Sequence, residues 1–183
     1  MENKRWCCFF SQTGSELFKI IQILNRMPDV IIYNFSDYNR YEKVNNNFKT
    51  YLWENYKIIE RAPFNPTIED YYSLLKPNDI ITLHGWLRII PPKICNSYNI
   101  YNGHPGLISK YPELKGKDPQ KKAYELKLKT SGCVIHRVIP KVDAGEVIVE
   151  KEVNIENLGL EDIINVLHDE SIKLWTEFLK EKI

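Results

Sequence analysis

Asn102 and His104 stand two residues apart in Tyr101-Asn102-Gly103-His104-Pro105-Gly106, where a predicted strand runs out into a loop. Side chains at that spacing in an extended segment point to the same side. An amide and an imidazole so placed can offer an oxyanion donor and a proton-transfer group. Asp143 lies in Val142-Asp143-Ala144-Gly145-Glu146, a predicted tight turn between two strands. Its carboxylate can orient an imidazole or hold a water. Gly85-Trp86-Leu87-Arg88-Ile89-Ile90 follows His84 and another predicted strand. Such a stretch can wall a flat apolar slot with one fixed cation. Taken singly, each of these residues also has a plain structural use, as turn former, loop hydrogen-bonder or core.

Buried strands and amphipathic helices must position these groups. Trp6-Cys7-Cys8-Phe9-Phe10 is a short continuous apolar run, the pattern of a strand buried on both faces. Apolar residues at 17, 18, 20, 21 and 24 then recur at helical spacing, ending before Pro28. Val30–Tyr33 reads as a second strand, which completes a strand–helix–strand unit of a parallel sheet. The stretch from 36 to 66 is polar and Asn-rich, and is expected to be loop with a helix near 47–55 and a short strand over 57–60. Thr67 caps a helix through Leu75, and Ile80–Leu83 is the next buried strand. A helical turn at 92–96, a strand at 100–102 and a helix at 120–128 follow. Strands at 133–138 and 146–150 flank Asp143, and a last helix spans 160–182. Lys110–Lys122 reads as a solvated face, and His84 and His136 as structural histidines. The expected fold is α/β: a single Rossmann-like open sheet, mostly parallel, with helices on both faces.

Composition excludes several classes. Lys+Arg 25 against Asp+Glu 24 leaves a formal net charge of +1 over 183 residues, so there is no global electrostatic footprint for nucleic acid. No apolar run approaches the roughly 18 residues of a membrane span, and the protein is expected to be soluble and cytoplasmic. The four cysteines form no CxxC pair and the four histidines no HExxH, so no metal site is expected.

The order N-x-H-P-x-L-x-x-x-Y-P, then a strand with His136, then D-x-G-x-V-I, resembles the folate-dependent formyltransferases. The resemblance is strongest over 80–150. It implies transfer of a formyl group from 10-formyltetrahydrofolate to a primary amine, with Asn102, His104 and Asp143 catalytic. Asn102 and protonated His104 would stabilise the developing oxyanion. Asp143 would either orient His104 and raise its pKa or hold a relaying water. The resemblance assigns folate to Gly85, Trp86, Leu87, Arg88, Ile89, Ile90 and Val142, and the acceptor to Ser11, Thr13, Gly14, Ser15, Gly106 and Glu170.

The acceptor itself is expected to be a small phosphorylated metabolite, glycinamide ribonucleotide first. An amino-sugar nucleotide or other nucleotide-like amine is the alternative, and a formyltetrahydrofolate hydrolase or a non-catalytic folate-binding protein comes behind. In similar transformylases a Ser-Gly-Asn-Gly-Ser-Asn type loop cradles the substrate phosphate on backbone N–H groups. Here the loop reads Ser11-Gln12-Thr13-Gly14-Ser15-Glu16. Gln12 replaces a small residue, and Glu16 brings a negative charge to the place of an anion. The segment Lys115–Ala123 is closer to the tRNA and sugar formyltransferases. The expected organisation is one catalytic domain over 1–183, with no C-terminal β-barrel and no regulatory domain. Small-molecule amine and folate are the expected partners, without nucleic acid or membrane, and both a monomer and a homodimer stay open.

Overall fold

The computed structural model describes residues 4–34 and 42–183. The part of the polar stretch at 36–41, read as loop, lies outside the described residues. Seven strands form one mostly parallel sheet in the order β3-β2-β1-β4-β5-β6-β7, as expected of an open Rossmann-like α/β fold. The chain divides into two compact units, Met1–Tyr101 with Lys182–Ile183, and Asn102–Glu181.

In the first unit β1 (Trp6–Phe10) pairs in parallel with β2 (Val30–Tyr33) and with β4 (Ile80–His84), and β2 pairs in parallel with β3 (Ile59–Arg61). Every β1 side chain is buried, which is why its sequence is continuously apolar rather than alternating. Helix α1 (Ser15–Leu24) buries Leu17, Ile20 and Ile21, residues at helical spacing on one face. It ends at Asn25 in the left-handed region, a conformation Asn tolerates. Helix α2 (Asn46–Glu54) starts at Asn45, whose side chain accepts from the Asn47 and Phe48 amides. The strand expected at 57–60 is displaced to Ile59–Arg61 because Tyr56–Ile58 forms a 3₁₀ turn. Helix α3 (Ile68–Leu74) carries a complete capping box between Thr67 and Asp70, which satisfies otherwise orphaned amides. Phe9 packs edge-on against Trp86 at 5.0 Å, and Phe10 lies 5.4 Å from Phe48. Helix α4 (Pro92–Ser97) leads into β5 (Asn99–His104).

In the second unit helix α5 (Pro119–Glu125) precedes β6 (Thr130–Arg137), which pairs antiparallel with β7 (Val147–Asn154). Helix α6 (Leu160–Lys182) buries Ile163, Leu167, Ile172, Trp175, Phe178 and Leu179. Its Trp175 fixes it against β5: a Cβ added to Gly103 would lie 2.5 Å from the indole Nε1. Only glycine fits between Asn102 and His104, so the helix and the strand carrying both residues are held in direct contact.

Candidate active site

Strand β5 extends through His104, beyond the Asn102 end expected from the sequence. Asn102 and His104 therefore share one face by strand geometry. Asp143 comes to them from the connection between β6 and β7. That connection runs over 138–146 and is longer than a tight turn. Asp143 adopts φ +49°, a left-handed conformation that a short polar side chain tolerates. Gly145 is required beside it: an added Cβ would sit 1.7 Å from the Arg137 carbonyl oxygen.

Three of the expected residues meet within the second unit, together with His136. His104 Nδ1 lies 3.5 Å from Asp143 Oδ2, and His104 Nε2 is 2.9 Å from the Leu114 carbonyl oxygen. On the other side His136 Nε2 lies 3.3 Å from Asp143 Oδ1 and 3.3 Å from Asn102 Nδ2. His136 Nδ1 faces the Arg137 carbonyl at 3.0 Å. Asp143 also accepts the Gly116 backbone N–H on Oδ2 at 2.9 Å. His136 was read as structural, and only its place in the motif hinted at more. Lys110–Lys122, read as a solvated face, also lends the site two backbone groups, the Leu114 carbonyl and the Gly116 amide. Backbone groups leave no signature in residue type.

Each imidazole thus faces an oxygen acceptor at both nitrogens, whereas a neutral ring carries a single N–H. Burial lowers the His104 imidazole below its ordinary 6.5, and the pull of Asp143 and the Leu114 carbonyl in the opposite direction does not overcome it. The expectation that Asp143 raises His104 is therefore met only in part, because desolvation of the cation dominates. Burial pushes the Asp143 carboxyl up, but the His136 hydrogen bond, the His104 charge and the Gly116 amide together hold it below its ordinary 3.8. The resting state is a carboxylate beside a neutral His104.

Gly106 and Val142 belong to the same unit. A Cβ on Gly106 would lie 2.9 Å from Pro119 Cβ and 3.1 Å from His104 Nε2, so Gly106 lets the loop pass close to the imidazole. Val142, 56 % exposed, leaves an apolar side chain open next to Asp143. Glu170 on α6 pairs with Lys173 Nζ at 2.5 Å.

The first unit carries the other expected residues. Leu87 and Ile89 are 59 % and 72 % exposed, while Trp86 and Ile90 on either side of them are buried anchors. Open apolar side chains on a pinned backbone suit one face of a flat heteroaromatic ring. Ser11 does the pinning: its Oγ donates to the Gly85 carbonyl at 2.8 Å and accepts the Leu87 amide at 3.0 Å. Arg88 is braced inside its unit, donating from Nε to the Phe64 carbonyl at 2.7 Å and from Nη2 to Asn34 Oδ1 at 3.1 Å. Its guanidinium also covers the Phe64 ring at 4.0 Å. Thr13, Gly14 and Ser15 form the turn into α1, with Thr13 Oγ1 3.1 Å from Ser15 Oγ. Ser11, Gln12, Thr13 and Lys43 line a hollow of about 130 Å³. Among the described residues no group of three or more His, Cys, Asp or Glu side chains could hold a metal ion, and no helix is long and apolar enough to cross a membrane.

A family model described as formyl transferase matches residues 4–179. A phosphoribosylglycinamide formyltransferase of Dictyostelium discoideum is 32% identical over 161 residues, which cover 81% of this chain and 70% of that protein. A trifunctional purine biosynthetic protein adenosine-3 of Chironomus tentans is 39% identical over 100 residues, 52% of this chain but only 7% of that protein. Among solved structures, a phosphoribosylglycinamide formyltransferase from Anaplasma phagocytophilum superposes with a TM-score of 0.79 over 98% of this chain and 86% of that one, at 22% identity, which is likeness of fold. With nearly its whole described length matched, the chain belongs to the formyl transferase family.

Proposed function

We propose that this enzyme transfers a formyl group from 10-formyltetrahydrofolate to the primary amine of glycinamide ribonucleotide, and that Asn102, His104 and Asp143 carry the reaction. The observation that carries this reading is the Asn102–His136–Asp143–His104 cluster, with its carboxylate between two imidazoles at 3.3 and 3.5 Å. The relative that is 32% identical over 81% of this chain bears the phosphoribosylglycinamide formyltransferase name, which favours that acceptor over an amino-sugar nucleotide.

10-Formyltetrahydrofolate would supply the formyl carbon, and its folate nitrogen is where a proton must finally arrive. The exposed apolar side chains of Leu87 and Ile89 fit a flat ring of that kind, and Gly85–Ile90 would hold it in the first unit. Val142 is a further folate contact that the family resemblance implies.

The amine must be neutral to attack a carbonyl carbon. Negative charge then grows on the carbonyl oxygen, and a preorganised donor is worth most at that point. Asn102 Nδ2 would donate to that oxygen. The proton shed by the amine needs an acceptor that is neutral at rest. His104 meets that need because burial keeps its imidazole unprotonated. Asp143 would stabilise the imidazolium that results and hold it for return to the leaving nitrogen. The His136 hydrogen bond, the His104 charge and the Gly116 amide together favour an ionised Asp143. Ser11, Thr13, Gly14 and Ser15 would receive the acceptor's phosphate on the turn into α1, with Lys43 beside them. Gly106 and Glu170 are further acceptor contacts that the family resemblance implies.

A panel of amines offered with 10-formyltetrahydrofolate, read by release of tetrahydrofolate, tests this reading. Glycinamide ribonucleotide should be the preferred acceptor. Faster turnover of an amino-sugar nucleotide, or equal release with water alone, would replace it.

A further inference from the structure

Glu16 is the feature of the acceptor loop that the function above does not absorb. It stands in the first turn of α1, where backbone N–H groups favour an anion. A carboxylate there competes with a phosphate and repels it. The structure shows where that charge goes. Glu16 Oε2 lies 3.0 Å from Nδ1 of His84, whose side chain is only 1 % exposed. The two residues are 68 apart in sequence. They meet because β1 and β4 pair in parallel with Phe10 opposite His84, so the loop after β1 starts beside the end of β4.

The far side of the ring is also built. His84 Nε2 is 3.0 Å from Thr82 Oγ1. Trp6 Nε1 donates to the same oxygen at 2.9 Å, so the hydroxyl's own proton is available for His84 Nε2 or for Cys8 Sγ at 3.5 Å. If the ring is neutral, Thr82 donates to Nε2. If it is protonated, Nε2 donates to Thr82 and the hydroxyl turns to Cys8. Either way Nδ1–H stays on Glu16.

We propose that His84 and Glu16 form a specificity pair for the acceptor: His84 holds the Glu16 carboxylate toward β4 and offsets its charge, so that the loop Ser11–Ser15 accepts a phosphate-bearing amine despite an acidic residue in the helix's first turn. His84 is thus a positioning residue that acts through Glu16, and Lys43 lines the adjoining hollow. The inference rests on the acceptor reading given above.

The test compares Glu16→Asp with Glu16→Gln in the intact enzyme. Aspartate keeps the charge but is one methylene too short to reach His84. Glutamine keeps the reach and loses the charge. KM for glycinamide ribonucleotide should rise about tenfold over wild type in Glu16→Asp, be no higher than wild type in Glu16→Gln, and the excess should shrink as salt rises; kcat should change less than KM in both. His84→Ala should behave like Glu16→Asp, and adding Glu16→Gln to it should restore KM. Equal KM values for Glu16→Asp and Glu16→Gln would overturn the pairing. So would a His84→Ala enzyme that folds and is not rescued. If wild type fails to formylate glycinamide ribonucleotide at all, the acceptor reading falls, and the pair is read from inorganic phosphate binding by calorimetry: Glu16→Gln binding phosphate no tighter than Glu16→Asp then overturns it separately.

Discussion

Gly116 donates its backbone N–H to Asp143 Oδ2 at 2.9 Å across 27 residues of chain. This one bond ties the loop after His104 to the connection between β6 and β7, and it fixes the carboxylate facing both imidazoles. An amide donor favours the charged carboxylate, and after the His136 hydrogen bond and the His104 charge it helps hold Asp143 below its ordinary 3.8 despite burial. Asp143→Asn keeps the shape but removes the charge that must stabilise a protonated His104. Turnover should fall by about 10²–10³, the scale of losing one electrostatic group at a developing charge, with folate binding little changed. Steady-state kinetics with both substrates varied checks this; a smaller effect than about tenfold would leave Asp143 with a structural role alone.

Gly145 guards the same carboxylate. Any Cβ there meets the Arg137 carbonyl oxygen at 1.7 Å, and a backbone atom cannot swing aside. Gly145→Ala should displace the Asp143 turn and cost about as much activity as Asp143→Asn. It should also destabilise the protein by about 1–3 kcal/mol, as overpacking does. Thermal unfolding alongside kcat separates the two; unchanged melting and activity would show that the turn accommodates the methyl.

His104 gives stability a pH dependence of known sign. Its folded-state pKa is lowered below 6.5 by burial, so between those two values the unfolded chain binds more protons than the folded one. Stability is therefore complete above about 6.5 and is lost as pH falls through the folded-state value. Denaturant unfolding at pH 7.5 and pH 5.5 should show a loss in wild type that is smaller in His104→Asn. Identical losses in the two proteins would assign the slope to other groups.

Arg88 clamps the Gly85–Ile90 segment to Phe64 and Asn34 with two donors and gives a third to the Leu87 carbonyl within the segment. Lysine has a single ammonium and no planar fork to satisfy them together. Arg88→Lys and Arg88→Ala should both raise KM for 10-formyltetrahydrofolate and speed proteolysis near Phe64. Rescue by lysine would mean that charge alone matters.

The buried strands were legible because their residues admit no other reading: β1 is apolar throughout, β4 is apolar but for Thr82 and His84, and both are bounded by turn residues. Helix α6 was legible to the residue from its periodicity, and the Thr67 cap from a single side chain. The motif residues Asn102, His104 and Asp143 stood out by type and order. What sequence hid was carried by backbone and by long-range register. Leu114 contributes a carbonyl and Gly116 an amide, neither of which depends on residue type. His136 looked like any strand histidine until β6 set it beside Asp143. Glu16 looked like an obstacle to a phosphate, since nothing local announces that β1·β4 register delivers His84 to it.

The most direct test of the account is the formylation of glycinamide ribonucleotide by wild type and His104→Ala, measured side by side as tetrahydrofolate release at saturating substrates. The account predicts turnover by wild type and a loss of about 10²–10⁴ in the variant, the scale of losing a positioned general base, with both proteins equally folded. A folded His104→Ala enzyme that keeps more than about a tenth of wild-type turnover would contradict it.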